Sequence, residues 1–277
     1  VIVVGNLTVG GTGKTSLVIW LCNYFSSRKY NVAVISGGYK TTDPNKIQIV
    51  NKDSKANEVG DEAILIGKKT QSIVCKCKNR KLAYEFLVKN YKLDFIISDD
   101  GLTHYKLNRN LNIVIVKENK PFGNGLVLPA GPLRELPSSI NSYDNVIFNK
   151  SKKSNVSGFY YDISKLKSIL NNTELDIEIL SGTSVHLVTA IANPDLLIKS
   201  LNRYNVDIIP HIYPDHYLPI EEDFIFNDNL KTIMTEKDFV KCCDFNLENA
   251  YYLPTKIIVD NDIKIMLNNQ ISNLLKV

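Results

Sequence analysis

Residues 8 to 15 read Thr-Val-Gly-Gly-Thr-Gly-Lys-Thr, between an apolar run at residues 1–4 and a segment of helical period. A glycine-rich turn between a strand and a helix lets backbone N–H groups face inward around phosphate oxygens, and the helix N-terminus adds partial positive charge. Gly10, Gly11, Thr12 and Gly13 would form that cradle. Lys14 could reach the β- and γ-phosphates of a nucleotide, and the Thr15 hydroxyl could ligate Mg²⁺. The first position of the usual pattern is Thr8 rather than Gly. Downstream, Phe95-Ile96-Ile97-Ser98-Asp99-Asp100 is an apolar strand ending in two carboxylates. Ligands of parallel sheets collect at the C-terminal ends of strands, so Asp99 and Asp100 are expected beside the loop as Mg²⁺ ligands. Asp-Asp-Gly is also a good turn sequence; the phosphate loop upstream favours the metal reading. The chemistry implied is phosphoryl transfer from ATP.

The elements that must position these groups alternate. Strand-like runs at residues 1–4, 31–35, 72–75, 94–98, 111–116 and 145–148 interleave with helical patterns, the first at 15–25. Such alternation predicts an α/β fold, a parallel sheet with helices on both faces. A second α/β pattern begins with a strand at 184–190 and a helix opened by Asn193-Pro194. Strands at 206–209 and 232–234 follow, and a closing helix at 260–275 places Ile263, Met266, Ile271, Leu274 and Leu275 on roughly one face. The expected division is a nucleotide-binding domain at 1–178 and a smaller α/β lobe at 179–277 that closes the cleft, its final helix free to pack back on the first domain.

Composition narrows the partners. Lys plus Arg number 33 against 29 Asp plus Glu, a net +4, too mild for a dedicated nucleic-acid binder. The five cysteines form no regular framework, which suits a reducing compartment. Cys75 and Cys77 could be half of a metal site, but no partner ligands at zinc-like spacing appear. The sequence opens inside an apolar run without Met, so a preceding segment is expected to be missing. No run of about 20 apolar residues is present to span a membrane.

Several strings, in order, resemble the tetraacyldisaccharide 4′-kinase family, the lipid A 4′-kinases of Gram-negative bacteria. The phosphate loop from Gly5 to Thr15, Gly60-Asp61-Glu62, and Ser98-Asp99-Asp100-Gly101-Leu102-Thr103-His104 carry the likeness. So do Gly123-Asn124-Gly125, Leu128-Pro129-Ala130-Gly131-Pro132-Leu133-Arg134-Glu135, Ala192-Asn193-Pro194, Pro214-Asp215-His216 and Thr235-Glu236-Lys237-Asp238. Gly37 stands where the family has Arg, Thr103 where it has Gln, and Tyr217 where it commonly has a second His. The resemblance implies an ATP- and Mg²⁺-dependent kinase that phosphorylates the 4′-hydroxyl of a tetraacylated glucosamine disaccharide 1-phosphate. It further implies Asp61 as catalytic base with His216 as its partner, Lys14 as a catalytic cation, and His104 and Arg134 as phosphate or substrate contacts. From the residues alone, Gly-Asp-Glu reads as a solvated turn, Arg134 as a partner of Glu135, and Thr235–Asp238 as a helix-start cap.

A substrate with several acyl chains sets a physical condition. Each methylene withdrawn from a bilayer costs about 0.8 kcal/mol, so full extraction exceeds the roughly 18–21 kcal/mol ceiling of non-covalent binding. The expected protein therefore docks at a membrane surface, and the resemblance implies a peripheral protein at the cytoplasmic face of the bacterial inner membrane. Lys76, Lys78, Arg80 and Lys81, and Lys150, Lys152 and Lys153, are candidate basic docking patches. The alternatives are an ATPase or GTPase of the assembly or metal-delivery class, or a catalytically decayed homologue. No guanine-reading Asn-Lys-x-Asp occurs, which favours ATP.

Overall fold

The computed structural model describes residues 1–39, 41–192 and 194–275, and the side chain of Leu275 is outside that description. Asn193, one of the residues carrying the family resemblance, is also outside it. The chain forms two compact units, one from Val1–Tyr161 with Ile257–Val277 and the other from Asp162–Lys256.

The first unit contains β1 (Ile2–Asn6), α1 (Lys14–Ser26), β2 (Val32–Ser36), β3 (Gln48–Ile49), α2 (Ala56–Val59) and α3 (Asp61–Lys69). It continues with β4 (Ile73–Lys76), α4 (Arg80–Asn90), β5 (Phe95–Asp99), β6 (Leu111–Lys117), β7 (Asn145–Asn149) and β8 (Gly158–Tyr161). Its nine-stranded sheet has the order β15-β8-β7-β6-β1-β5-β2-β4-β3, where β15 is Ile257–Val259 and leads into α7 (Asn261–Leu275). The strands from β8 to β4 run parallel, and β15 and β3 add antiparallel edges. β1, β2 and β5 are buried at every residue, as continuous apolar runs covered on both faces must be. Val3, Val114 and Val116 pack with Leu102 and Leu133, while Ala33, Ile35 and Ile96 pack with Ala83 and Leu87 of α4.

The second unit contains β9 (Lys165–Ser168), β10 (Glu174–Asp176), β11 (Ser184–Thr189), α5 (Asp195–Asn202), β12 (Asp207–Ile212), β13 (Lys231–Thr235), α6 (Glu236–Phe239) and β14 (Ala250–Leu253). Its six-stranded sheet has the order β10-β9-β14-β13-β11-β12. Leu166, Val185, Leu187, Leu201 and Ile233 form one core cluster and Val188, Phe224, Met234 and Tyr252 another.

The division differs from a boundary at residue 178. β9 pairs with β14 and β10 with β9, so residues 165–176 belong to the second sheet, while β15 pairs with β8 and returns the end of the chain to the first. The Tyr24 hydroxyl of α1 donates to Asn268 Oδ1 at 2.7 Å, which anchors α7 there. The buried stripe of α7 is Ile263, Leu267 and Ile271, with Leu274 exposed, a shift of face from the expected one.

Two further expectations change. Gly60-Asp61-Glu62 is not a solvated turn: Gly60, at φ 91, precedes α3, and Asp61 is buried in its first turn. The basic patches also lose members, while Lys78, Lys81, Lys152 and Lys153 stay exposed. Lys76 is fully buried, its Nζ donating to Asp43 O and, at 2.9 Å, to Gln48 Oε1. Arg80 is buried as well, and Lys150 is bound to Asp260 at 2.6 Å with its side chain 6% exposed.

Candidate active site

β1 carries its polypeptide straight into the phosphate loop. Gly10 and Gly13 have φ of 104° and 96°, a region nearly closed to residues with a Cβ. A Cβ on Gly13 would also stand 2.9 Å from the Tyr161 hydroxyl and 3.0 Å from the Phe159 ring. The loop is held from outside by Asn149 Nδ2 donating to Thr12 O at 3.0 Å and by Val9 N donating to Pro132 O at 2.7 Å. α1 opens at Lys14 without a side-chain cap, which leaves its first N–H groups for an anion. Thr15 follows, half-buried in the first turn. Thr12 Oγ1 is buried and has no hydrogen-bond partner.

Lys14 Nζ donates to Asn6 Oδ1 at 2.8 Å and lies 3.5 Å from Asp100 Oδ1. Asp100 sits just past β5 at φ 50, and Arg134 donates to both of its carboxylate oxygens, at 2.8 and 3.2 Å. Arg134 therefore pairs with Asp100 and not with Glu135, whose carboxylate accepts from the Tyr143 and Tyr105 hydroxyls at 2.7 and 3.3 Å. Burial works to raise the Asp100 carboxyl, but Lys14, the Arg134 bonds and charge, and Arg80 outweigh it and hold it below the usual carboxylate range.

Asp99 behaves oppositely. It is buried, its Oδ1 has no hydrogen-bond partner, and burial pushes it up to about 7. The charge of Glu62 adds to that rise, while Lys14 and Arg80 oppose it. Buried Arg80 braces the strand end by donating to Asp99 O at 2.6 Å and to Cys77 O at 3.0 Å. His104 is half-buried; its imidazole is held below the usual histidine range by burial, then by Arg80 and Lys78 against Asp100. It is a neutral ring near pH 7.

Asp61 Oδ1 accepts from Glu62 N at 2.9 Å at the start of α3, where the helix dipole favours negative charge. His216 belongs to the second unit. It has φ 63, and its Nε2 lies 3.6 Å from Asp215 Oδ2, which in turn faces Lys237 through Oδ1 at 3.5 Å. Thr235–Asp238 is a helix cap: Thr235 Oγ1 accepts from Asp238 N at 3.1 Å, and the buried Asp238 carboxylate accepts from Thr189 Oγ1 and Ala190 N.

Lys14, Asp99, Asp100 and Arg134 thus come together, with His104 coupled to them through Arg80 and Asp100. Glu62, Arg80 and Asn6 were not singled out for the site from the sequence. Two adjacent acids after a glycine could have signalled Glu62 as a helix start; nothing local marks Arg80. Among the described residues, no three His, Cys, Asp or Glu side chains converge as a metal cluster. Mg²⁺ beside a nucleotide needs only one or two carboxylates, a hydroxyl and phosphate oxygens. The unpartnered Asp99 Oδ1 and the repelling charge of Glu62 form a donor set that a divalent cation would relieve.

What these cations and acids can jointly do is neutralise a phosphoryl group in flight, and the sheet that carries them has the fold of a P-loop kinase. A family profile described as tetraacyldisaccharide-1-P 4′-kinase matches residues 1–272. Curated tetraacyldisaccharide 4′-kinases are similar to the chain. That of Ruthia magnifica subsp. Calyptogena magnifica is 37% identical over 262 residues, covering 95% of this chain and 83% of the relative. That of Coxiella burnetii (strain CbuK_Q154) is 37% identical over 275 residues, covering 99% and 82%. Among solved structures, the "apo" form LpxK from Aquifex aeolicus in complex with ATP superposes with a TM-score of 0.77 at 26% identity, covering 98% of this chain and 87% of that one. The chain belongs to the tetraacyldisaccharide 4′-kinase family. It is an ATP-dependent kinase acting on tetraacyldisaccharide 1-phosphate in lipid A biosynthesis.

Proposed function

We propose that the chain transfers the γ-phosphate of Mg-ATP to the 4′-hydroxyl of its lipid acceptor with Asp61 as general base, working as a peripheral protein at the cytoplasmic face of the bacterial inner membrane. The observation that carries this reading is the convergence of Lys14 and Arg134 on Asp100 beside the phosphate loop, with the unpartnered carboxylate of Asp99 next to it.

The loop amides and Lys14 bind the nucleotide phosphates and keep them in line with the acceptor. Asp61 takes the proton of the 4′-hydroxyl as its oxygen bonds to the γ-phosphorus, and the bond from that phosphorus to the β,γ-bridging oxygen breaks, leaving ADP. Such a base contributes roughly 10²–10⁴-fold. Lys14 and Arg134 face the charge that spreads over the transferring oxygens, and neutral His104 can donate a hydrogen bond without competing for a proton. Thr15, Asp99, Asp100 and Glu62 would hold Mg²⁺, which when bound neutralises phosphate charge. His216 is assigned, by likeness to the family, to assist Asp61. No helix of the described residues is long and apolar enough to cross a membrane.

The test is transfer of radiolabel from γ-labelled Mg-ATP to a tetraacylated disaccharide 1-phosphate in mixed micelles, with Lys14→Ala as control. Label at the 4′ position, lost in the control, is expected. Asp61→Asn and His216→Ala should each cut kcat by about 10²-fold or more. Wild-type turnover in Asp61→Asn would remove Asp61 as the base.

A further inference from the structure

The segment between β6 and the short helical turn at Pro137–Ser142 has no assigned role beyond Arg134. Residues 121–133 read Pro-Phe-Gly-Asn-Gly-Leu-Val-Leu-Pro-Ala-Gly-Pro-Leu, without a single charge. Residues 123–130 are all exposed, among them Leu126 at 52%, Val127 at 37% and Leu128 at 53%. Three large apolar side chains in succession at the tip of a loop are unusual on a soluble surface.

The loop is nonetheless built. Gly125 N donates to Phe122 O, Leu126 N to Asn124 Oδ1, Leu128 N to Leu133 O, Gly131 N to Val127 O and Leu133 N to Leu126 O, at distances from 2.8 to 3.1 Å. Asn124 Nδ2 closes the ring on Ala130 O at 3.1 Å. These bonds satisfy internally much of the backbone that an inserted loop must remove from water, which is the condition hydrocarbon imposes. Just before the loop, Lys120 is exposed and Lys117 half-buried. Basic side chains beneath an apolar tip are complementary to an anionic lipid surface.

The same segment is welded to the phosphate site. Val9 N donates to Pro132 O and Arg134 N to Leu7 O, each at 2.7 Å, and Thr8 bridges Leu133.

We propose that the uncharged loop at residues 121–133, with Leu126, Val127 and Leu128 at its tip, inserts into the interfacial region of an anionic bilayer and thereby holds the phosphate loop at the membrane surface. The proposal rests on the peripheral-membrane reading above and names the surface that does it. It differs from the lysine patches, of which Lys76, Arg80 and Lys150 are engaged inside the protein and Lys78, Lys81, Lys152 and Lys153 stay exposed.

The experiment uses this chain with vesicles of phosphatidylethanolamine and phosphatidylglycerol. Cosedimentation of wild type is expected, with a loss of about tenfold or more in Leu126→Asp/Leu128→Asp and a further dependence on phosphatidylglycerol content. ATP binding and thermal melting of that variant should match wild type, since the loop tip is exposed. A second variant, Val127→Trp in a Trp20→Phe background, removes the one native tryptophan. Its emission should shift to the blue on vesicles and be quenched by brominated lipid. Unshifted emission, or vesicle binding unmoved by Leu126→Asp/Leu128→Asp, overturns the proposal. A wild-type dimer in light scattering that the double variant dissolves, without vesicle binding, would assign the loop to a second copy and also overturn it. Loop-dependent vesicle binding without label transfer would fault the kinase reading instead. Label transfer with loop-independent binding would fault only the docking loop.

Discussion

Arg134 grips Asp100 through both carboxylate oxygens, and Lys14 approaches the same carboxylate at 3.5 Å. One acid thereby holds two cations in place before any phosphate arrives. Its own charge is secured by them, since burial alone would raise the Asp100 carboxyl and the net effect is to lower it. The fork geometry matters because a guanidinium can satisfy two oxygens at once and an ammonium cannot.

Arg134→Ala should therefore lower kcat/KM for ATP by about 10²–10³-fold, the range for one preorganised charge facing a transition state. Arg134→Lys should recover only part of it, because Lys keeps the charge but loses the bidentate grip. Steady-state kinetics of the pair, at saturating Mg²⁺, would read this. Full rescue by Lys would show that position 134 acts only as a point charge.

Gly13 has the left-handed backbone of the loop and no room beside it. Gly13→Ala places a methyl 2.9 Å from the Tyr161 hydroxyl and 3.0 Å from the Phe159 ring, on a φ of 96°. The strain is on the order of 1–3 kcal/mol, and the loop is expected to relax by abandoning its phosphate-binding shape. Calorimetric titration with a non-hydrolysable ATP analogue should show affinity reduced by about tenfold or more. Gly11, with nothing within 4 Å of an added Cβ and no positive φ, should tolerate Ala far better.

Much of this was legible because it is covalently local. The phosphate loop is a contiguous string, and Asp99 and Asp100 end an apolar strand whose burial follows from its composition. The helix at Asp61 was not legible: Ala63-Ile64-Leu65-Ile66 is an unbroken apolar run that shows no helical period, and Gly-Asp-Glu resembles a turn. Arg80 and Lys76 look like solvated charges because their acceptors, Asp99 O and Gln48 Oε1, come from distant sequence. The second unit's start was hidden for a related reason. Lys-Leu-Lys-Ser and Glu-Leu-Asp are polar strands whose assignment depends on pairing with β14 and with each other, and pairing leaves no mark in composition.

Acidification should weaken the fold through its histidines. His104 and His211 are both held below the usual histidine range, each mainly by burial, and His211 also by the neighbouring His186. Below about pH 6.5 the unfolded chain binds protons that the folded chain refuses, so stability falls as pH drops through that value. Urea titrations between pH 7.5 and 5.5, in an Asp99→Asn background that removes a carboxyl of opposite sign, should show the midpoint declining. His104→Gln should flatten part of that slope, whereas an unchanged slope would place the acid sensitivity elsewhere.

Asp99 predicts the opposite trend, and Mg²⁺ should cancel it. Its carboxyl rises from an unfolded value of 3.8 to about 7, through burial and then Glu62. Between those values the folded chain holds a proton that the unfolded chain has released. The contribution of Asp99 is therefore fully present below about pH 4 and is lost as pH climbs through 7. A divalent cation with its nucleotide would favour the ionised carboxylate and recover that loss. Binding linkage then requires Mg-ATP to raise Tm by several degrees more at pH 8 than at pH 6. Asp99→Asn, which has no charge to bury, should melt higher than wild type at pH 8 without ligand and should lose the pH dependence of the Mg²⁺ shift. Differential scanning calorimetry at the two pH values, with ATP alone as the reference, separates the cation's part from the nucleotide's. Equal Mg²⁺ shifts at both pH values would mean that Asp99 is not the carboxylate that the cation relieves, leaving Glu62 or Asp100 to hold it.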